Sequence, residues 1–504
     1  MTLDPTGIEI ESNAPPIWEQ DEDFSEVMSN QLQHAPWLAI SILAHVIAGF
    51  ILYFALDNPR MLKPEIMTAM EPAIEEADIE DDEIETEDVK DEVTDEVDKV
   101  EPEFSDIDEV IDNVINENIS DSDPTAFRFD GTNPTVGLGP GAGGQFRRGS
   151  GGPGKGSHPR SAKQIDAALK WLRIHQDDSG RWDCDAFMKH DENGAICDGA
   201  GNPVHDVGVT GLALLAFLGD GNTMRSGKYK NVVKKAVKWL RLQQAPSGLF
   251  GTAASHDFIY DHAIASYAMC EAYGLSNYKL LRKIAQGGIN YLESHRNPYA
   301  CWRYQPRDND NDISVTGWCI MAYKSAKDFG LDVNTQALKT SLVYLDELTD
   351  MASGHCGYTK KGEFSSRHPG DHAQRFPIDK GDAMTAVGLF CRFFLGQEPK
   401  KVPVMKAAAE TLLQRAPVWD KKGSIDHYYW YYGSYALYQM GPPYWKKWQN
   451  KLTPALVKTQ RTDGNFKGSW DNVGAWGEDG GRVYSTAILA LTLEAYYRYT
   501  RLVR

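Results

Sequence analysis

Two stretches decide how the C-terminal part of the chain is read: Ala167–Trp182, AALKWLRIHQDDSGRW, and Lys235–Phe250, KAVKWLRLQQAPSGLF. Each is an amphipathic run with a tryptophan at the same place (Trp171, Trp239). A glutamine follows (Gln176, Gln244), then a glycine four residues on (Gly180, Gly248) and a second aromatic (Trp182, Phe250). Weaker copies hold Tyr291, Leu292 and Trp302, then Tyr344, Leu345, Gly357 and Tyr358. The last copy holds Gln460, Gly464 and Phe466, followed by Trp470. Between and after these copies lie segments apolar on almost every face: Val207–Leu218, Ala263–Tyr273, Ile313–Tyr323, Ala383–Leu395, Tyr431–Met440 and Val483–Tyr497. A helix without a polar face is a buried one. Each unit therefore predicts one amphipathic outer helix and one buried inner helix. Units recurring at intervals of about 50–70 residues follow the logic of helical repeat arrays. Six such pairs can close into a barrel, an inner ring within an outer ring.

The 504-residue chain carries 71 acidic and 52 basic side chains, net −19, but unevenly. Residues 1–130 hold 36 acidic and 5 basic side chains, whereas residues 161–504 hold 35 and 43. The acidity belongs to the N-terminal region, and the repeat region is mildly basic. A mean hydropathy of −0.45 excludes a polytopic membrane protein, and 42 % apolar residues exclude a wholly disordered chain. The acidic balance argues against a nucleic-acid binder. Seven cysteines are too few for a disulfide scaffold. Three of them (Cys270, Cys319, Cys391) lie in apolar helical runs, where a thiol acts as a small hydrophobe.

Five segments follow. Residues 1–36 form a short acidic tail. Residues 37–56, WLAISILAHVIAGFILYFAL, are 20 nearly continuous apolar residues, enough to cross about 30 Å of hydrocarbon as a helix. Residues 57–130 are an acidic tether; the 26 Asp and Glu of 65–123 repel one another and resist collapse. Residues 131–160 are a Gly/Pro-rich linker, and 161–504 are the helical repeat domain. Within the expected span, Ser41 and His45 are four apart and share one helix face. An intramembrane histidine is costly and marks a proton-linked or partner-binding face; the alternative is a neutral ring bonded to Ser41 or to a backbone carbonyl. Arg60 and Lys63 after the span favour a cytoplasmic C-terminal side.

Several inner segments begin with ionisable residues: His205-Asp206, Asp261-His262, Asp310-Asn311-Asp312, Asp382 and Asp426-His427. A helix N-terminus favours a carboxylate through its free N–H groups and its dipole, so each Asp can be a cap. The same residues can ring the mouth of a pocket as polar groups converging on an apolar cavity. Asp206, Asp310 and Asp312 are the candidate catalytic carboxylates. His205, Asp261, His262, Asp382, His427 and Trp430 are the candidate ligand contacts. The run His427–Tyr432, HYYWYY, either lines a pocket or packs in the core. His355-Cys356 with His368 and His372 fits no familiar zinc spacing, and Asp308, Asp310 and Asp312 lack the glycine and closing glutamate of a calcium loop. No metal or cofactor is expected.

The signature Gln-x-x-x-Gly-x-Trp/Phe at 176–182, 244–250 and 460–466 resembles the QW repeat of squalene–hopene and oxidosqualene cyclases. That resemblance, over about 340 residues, implies the all-α (α/α)6 toroid shared with protein prenyltransferase β subunits, the glutamine capping helix ends and the aromatic stacking between helices. A shared fold does not fix the chemistry. The cyclase motif Asp-x-Asp-Asp is incomplete, since Asn311 or Ile313 stands where its last aspartate belongs, and the prenyltransferase Asp-x-Cys is absent. Ser41-x-x-x-His45 resembles the anchor of TonB-type energy transducers. It implies a partner of the ExbB/ExbD proton-driven motor type and a toroid on the periplasmic side of a bacterial inner membrane, opposite to the vote of Arg60 and Lys63. The reading that results is a single-pass anchored toroid that binds an apolar or polymeric ligand in its cavity. The alternatives are a divergent terpenoid, prenyl or glycan-active enzyme using carboxylates at the toroid mouth (such as the pair Asp206 and Asp312), or a motor-coupled protein.

Overall fold

The computed structural model describes residues 161–498 except Asn277 and Lys421. The expected span 37–56 with Ser41 and His45, the acidic tether and the Gly/Pro-rich linker lie outside the described residues. Among the described residues, no helix is long and apolar enough to cross a membrane.

Among the described residues, twelve long helices alternate between two layers. The inner ones are α2 (Asp206–Gly219), α4 (Phe258–Ser276), α6 (Ile313–Asp328), α8 (Ala383–Phe394), α10 (His427–Gln439) and α12 (Gly477–Arg498). The outer ones are α1 (Ala162–Ile174), α3 (Lys230–Leu242), α5 (Leu281–His295), α7 (Thr335–Leu348), α9 (Val404–Gln414) and α11 (Pro442–Val457). Asp371–Arg375 adds a single helical turn between α7 and α8. Each inner helix packs on the next, α2 on α4, α4 on α6, α6 on α8, α8 on α10, α10 on α12, and α12 returns to α2. The ring is closed. Each outer helix lies against at least one adjacent inner helix, and α1 bridges α12 and α2. This is the (α/α)6 toroid the repeat pattern predicts. The expected inner segments fall within or close to the observed helices; α4 begins five residues before the expected Ala263, α10 four before Tyr431 and α12 six before Val483.

The repeat signature acts as a staple between successive outer helices. Gln176 donates from Nε2 to Gly180 O and to Val232 O in α3, both at 3.0 Å. Gln244 does the same to Gly248 O and to Ile284 O in α5. Gln460 donates to Gly468 O and, across the ring closure, to Gln164 O in α1, both at 2.8 Å. A helical carbonyl has a second lone pair to spare for such a bond. The staple glycine then approaches the same helix one turn on. A Cβ on Gly180, Gly248 or Gly468 would lie 2.0–2.2 Å from the carbonyl oxygen of Lys235, Gly287 or Ala167. In the last unit the working residues are thus Gly468 and Trp470, where the sequence spacing points to Gly464 and Phe466. The aromatic does the capping expected of the glutamine. The indole N–H groups of Trp182, Trp302 and Trp470 donate to Leu172 O, Leu292 O and Leu456 O at 2.8–2.9 Å, carbonyls in the last turns of α1, α5 and α11; Leu292 O and Leu456 O also accept from Arg296 N–H and Gln460 N–H.

Candidate functional site

One cavity of about 300 Å³ opens inside the ring, and all six inner helices reach it with residues near their N-terminal ends. Gly208, Asp261, Ser314, Met384, Tyr428 and Tyr484 represent them in chain order. The helices therefore run in the same sense, and depth in the cavity follows position along each of them. At the rim are His205, His256, Asp257, Arg367, His368 and Asp479; deeper lie Val209, Leu212, Ile264 and Trp318. The gathering of helix starts at one mouth that the sequence predicts is present.

The predicted site residues divide sharply around it. His205 and Asp261 line the cavity. His205 Nδ1 lies 3.1 Å from Asp261 Oδ2, and its Nε2 lies 3.7 Å from Asp257. Burial acts to lower the His205 pKa, but the hydrogen bond and charge of Asp261, with Asp257 and Asp479 nearby, outweigh it and hold it at about 9. Burial raises Asp261 to about 6, partly offset by His205. Gly208 makes this pairing sterically feasible, since a Cβ there would meet Asp261 Oδ1 at 2.1 Å.

Asp312 sits just behind the wall. It caps α6, accepting from Val315 N–H at 2.7 Å, and its carboxylate is fully buried. Its other oxygen accepts from Tyr358 OH at 3.2 Å, and Tyr358 OH lies 2.7 Å from Tyr304 OH. Both phenols line the cavity, whereas Asp312 does not. Burial pushes Asp312 up to about 7 despite the cap, the phenol and Arg303, whose Nε is 3.3 Å away. The carboxyl is thus one phenol removed from any ligand. A second polar chain on the wall runs from Tyr260 OH through Ser314 Oγ to Tyr428 OH, each link 2.8 Å.

The remaining candidates have structural work away from the cavity. Asp206 accepts from Cys184 N–H and pairs with Arg181 at 2.8 Å, clamping the loop after α1. Asp310 is exposed and pairs with Arg303. Asp382 caps α8 and binds His355 and Arg415. His262 accepts from Phe250 N–H on Nδ1 and faces Gly288 O with Nε2; burial lowers its pKa to about 3, so the ring is neutral. It takes the place held in other units by a threonine, where Thr210, Thr316 and Thr486 accept from Trp182, Trp302 and Trp470 N–H. His427 and Trp430 pack with Trp419 in the core; of the aromatic run only Tyr428 reaches the cavity. His355, Cys356, His368 and His372 share no centre. His355 bonds Asp382, His368 bonds Asp479 and His372 bonds Ala475 O.

Sequence reasoning missed Tyr304, Tyr358, Arg367 and Trp318 as wall residues. Trp318 lies four residues after Ser314 in α6, so helix geometry puts both on the cavity face, with Trp318 one turn deeper. The two tyrosines and Arg367 come from loops, whose fold over the mouth no periodicity announces.

The His205 pairing makes a prediction. A histidine raised from 6.5 to about 9 contributes stability that is complete below about pH 6.5 and is lost as pH rises through about 9. Wild type is expected to lose up to about 3 kcal/mol across that window, and His205→Gln to show no such loss. Urea midpoints at pH values on either side of the window, for both proteins, measure it; parallel curves would refute the pairing.

No protein-family model matches the chain, and no curated protein sequence matches it. Solved structures do resemble it. An alpha-1,6-mannanase, GH76A of Salegentibacter sp. HEL1_6, is 11 % identical over 66 % of this chain and 98 % of its own, with a TM-score of 0.44. The type II terpene cyclase MstE from Scytonema is 14 % identical over 66 % and 96 %, with a TM-score of 0.43. An unsaturated glucuronyl hydrolase specific for heparin is 14 % identical over 66 % and 96 %, with a TM-score of 0.46. The toroid assignment rests on the closed ring of this chain's own helices.

Proposed function

We propose that the protein is a membrane-tethered binding protein whose toroid takes the apolar body of an amphiphile, a lipid or isoprenoid tail, and leaves the polar head at the rim. One observation carries this reading. A cavity of about 300 Å³ passes from a rim of His205, His256 and Asp257 to a wall of Leu212, Ile264 and Trp318. That is the pattern of small-molecule sites, apolar with a few oriented polar groups. Each methylene buried there is worth about 0.8 kcal/mol. Asp206 and Asp312 do not face one another across the cavity, so a glycan-cleaving pair built from them is disfavoured; such a pair must flank the scissile bond. The expected span at 37–56 would hold the cavity near the membrane, where amphiphiles concentrate, and its Ser41 and His45 face would meet a motor partner.

A second reading has its own support. Burial raises Asp312 to about 7 behind Tyr358, whose OH donates to it; delivery of a proton to an isoprenoid alkene would have Tyr358 turn, give its own hydrogen to the alkene carbon and take the carboxyl hydrogen of Asp312, which becomes the carboxylate.

Photolabelling tests both. The full chain is irradiated with a diazirine-bearing farnesol or dodecanoic acid, and labelled peptides are mapped. Labelling of α2, α4 and α6 is expected, reduced at least tenfold by Leu212→Trp. Labelling that ignores Leu212→Trp, or that lies outside the cavity, would refute binding. Conversion of a polyprenyl substrate by wild type, lost in Asp312→Asn and Tyr358→Phe, would replace binding by catalysis. Fractionation of cells tests the tether: a chain lacking 37–56 is expected to leave the membrane fraction, and its retention there would remove the anchor from the proposal.

A further inference from the structure

Away from the cavity, at the end of α1, three donor side chains of different chemistry meet. His175 follows the last turn of α1, Asp191 ends the helical turn Phe187–His190, and Cys197 lies in the connection leading to α2. One ligand atom from each lies within 4.8 Å of the others. His175 and Cys197 are almost wholly buried, and the Asp191 carboxylate is entirely so. None of the three lines the cavity.

The hydrogen-bond logic of His175 singles the cluster out. Nδ1 lies 2.8 Å from Trp171 O, which can only accept, so Nδ1 carries the ring hydrogen. Nε2 lies 3.0 Å from Asp191 Oδ1. In a neutral ring this is a lone pair facing a carboxylate oxygen, two acceptors with nothing between them. A cation shared by both relieves that conflict. The Nδ1–H bond to a backbone carbonyl is also the outer-shell contact that orients a metal-binding imidazole and fixes its tautomer. Here the ring is further fixed by stacking on Trp171 at a centroid distance of 4.0 Å. The other oxygen of Asp191 accepts from Cys197 N–H, which brings the thiol to the same side.

We propose that His175, Asp191 and Cys197 form a transition-metal site, best matched to Zn²⁺, that fastens the connection 187–202 to the end of α1. One nitrogen, one oxygen and one sulfur donor suit zinc, whereas Mg²⁺ and Ca²⁺ take oxygen ligands. Tetrahedral bonds of about 2.0–2.3 Å place donor atoms roughly 3.3–3.6 Å apart. The histidine–aspartate separation is close to this, and the sulfur, within 4.8 Å of the other donors, closes by roughly 1.5 Å at most. On binding, the Cys197 thiol gives its proton to solvent, and the ion's two positive charges meet one thiolate and one carboxylate. The buried site is then neutral, as a desolvated site must be. Water completes the fourth position. The consequence reaches the cavity, because the fastened connection runs on to His205 and is held along its way by Arg482, which donates to Asp198 O, and by Asn202 N–H on Asp479 O. The spacing His175, Asp191, Cys197 matches no zinc motif, so only the fold brings the three together.

The test uses the full chain, freed of metal and titrated with Co²⁺ and then Zn²⁺. One equivalent of Co²⁺ is expected to produce a thiolate-to-cobalt charge-transfer band, displaced by Zn²⁺, and Zn²⁺ alone is expected to raise the melting temperature. Cys197→Ser is expected to abolish the band and weaken Zn²⁺ binding at least tenfold. Asp191→Asn keeps shape and an acceptor for Cys197 N–H and is expected to weaken Zn²⁺ at least tenfold while remaining folded. Cys184→Ser, a buried thiol outside the set, is expected to keep the band. A folded wild type that gives no band and no shift in melting temperature would overturn the site and leave a buried imidazolium–carboxylate pair. Zn²⁺ binding unchanged in both ligand variants would overturn it equally.

Discussion

Gly468→Ala is expected to destabilise the toroid by about 3 kcal/mol or more, whereas Gly464→Ala is expected to cost only about 1 kcal/mol. Both glycines have positive φ, +102° at Gly468 and +44° at Gly464. Their surroundings differ. A Cβ at Gly464 meets nothing within 4 Å, but at Gly468 it would lie 2.2 Å from Ala167 O and 2.7 Å from Ala167 C in α1. Backbone cannot step aside as the tip of a side chain can, so α1 must move away from the loop that follows α11. That movement also pulls Gln164 O from the Gln460 amide, the bond that joins the last outer helix to the first. The damage therefore falls on ring closure, where the first and last units must meet for either to bury its inner face. Denaturant midpoints of the two variants measure the contrast. A larger loss in Gly464→Ala would mean that the staple follows the sequence spacing and that the closure is built differently.

Arg367→Met is expected to cost about 3–5 kcal/mol, the penalty for leaving a buried charge without its partner. Arg367 and Asp426 pair at 3.0 Å, with side chains only 4 % and 3 % exposed. Arg367 also donates to Phe376 O and Ser366 O and lies over the Trp476 ring at 5.7 Å. It holds the loop that carries Ser365, Ser366 and His368 across the cavity mouth, and it neutralises the carboxylate that caps α10 at Tyr429 N–H. Removing the guanidinium strands that carboxylate and frees the loop. The double variant Arg367→Met/Asp426→Asn is expected to recover much of the loss, since asparagine caps a helix as well as aspartate does and carries no charge. Urea unfolding of the single and double variants checks this. If the single variant stays within about 1 kcal/mol of wild type, the pair is solvated and does not hold the loop.

The two variants also mark how far the sequence could be read. Helix pairing was legible because burial writes itself into periodicity. α2, with Val207 to Leu218 buried on every face, and α3, with Val232, Val233, Ala236, Val237 and Leu240 buried along one stripe, have the compositions their environments demand. The aspartates at the inner helix starts were legible for a similarly local reason, since Asp312, Asp382 and Asp426 do cap the helices that follow them. Their further roles were not. Asp206, Asp261 and Asp312 all stand at the cap or in the first turn of their inner helices. Yet Asp206 is taken by Arg181, Asp261 faces the cavity with His205, and Asp312 hides behind Tyr358.

Sequence alone, then, determined the alternation of outer and inner helices and the caps that start the inner ones, because these depend on contacts within one unit and on which faces water must leave. Only the tertiary structure decided which glycine closes the ring, which carboxylate meets the cavity and which three side chains gather beyond α1. The first two depend on residues far apart in the chain, Gly468 with Ala167 and Asp261 with His205, and the third on a connection that folds back onto α1. The long separations are set by how six units turn about a common axis, and no repeat carries that angle in its own residues.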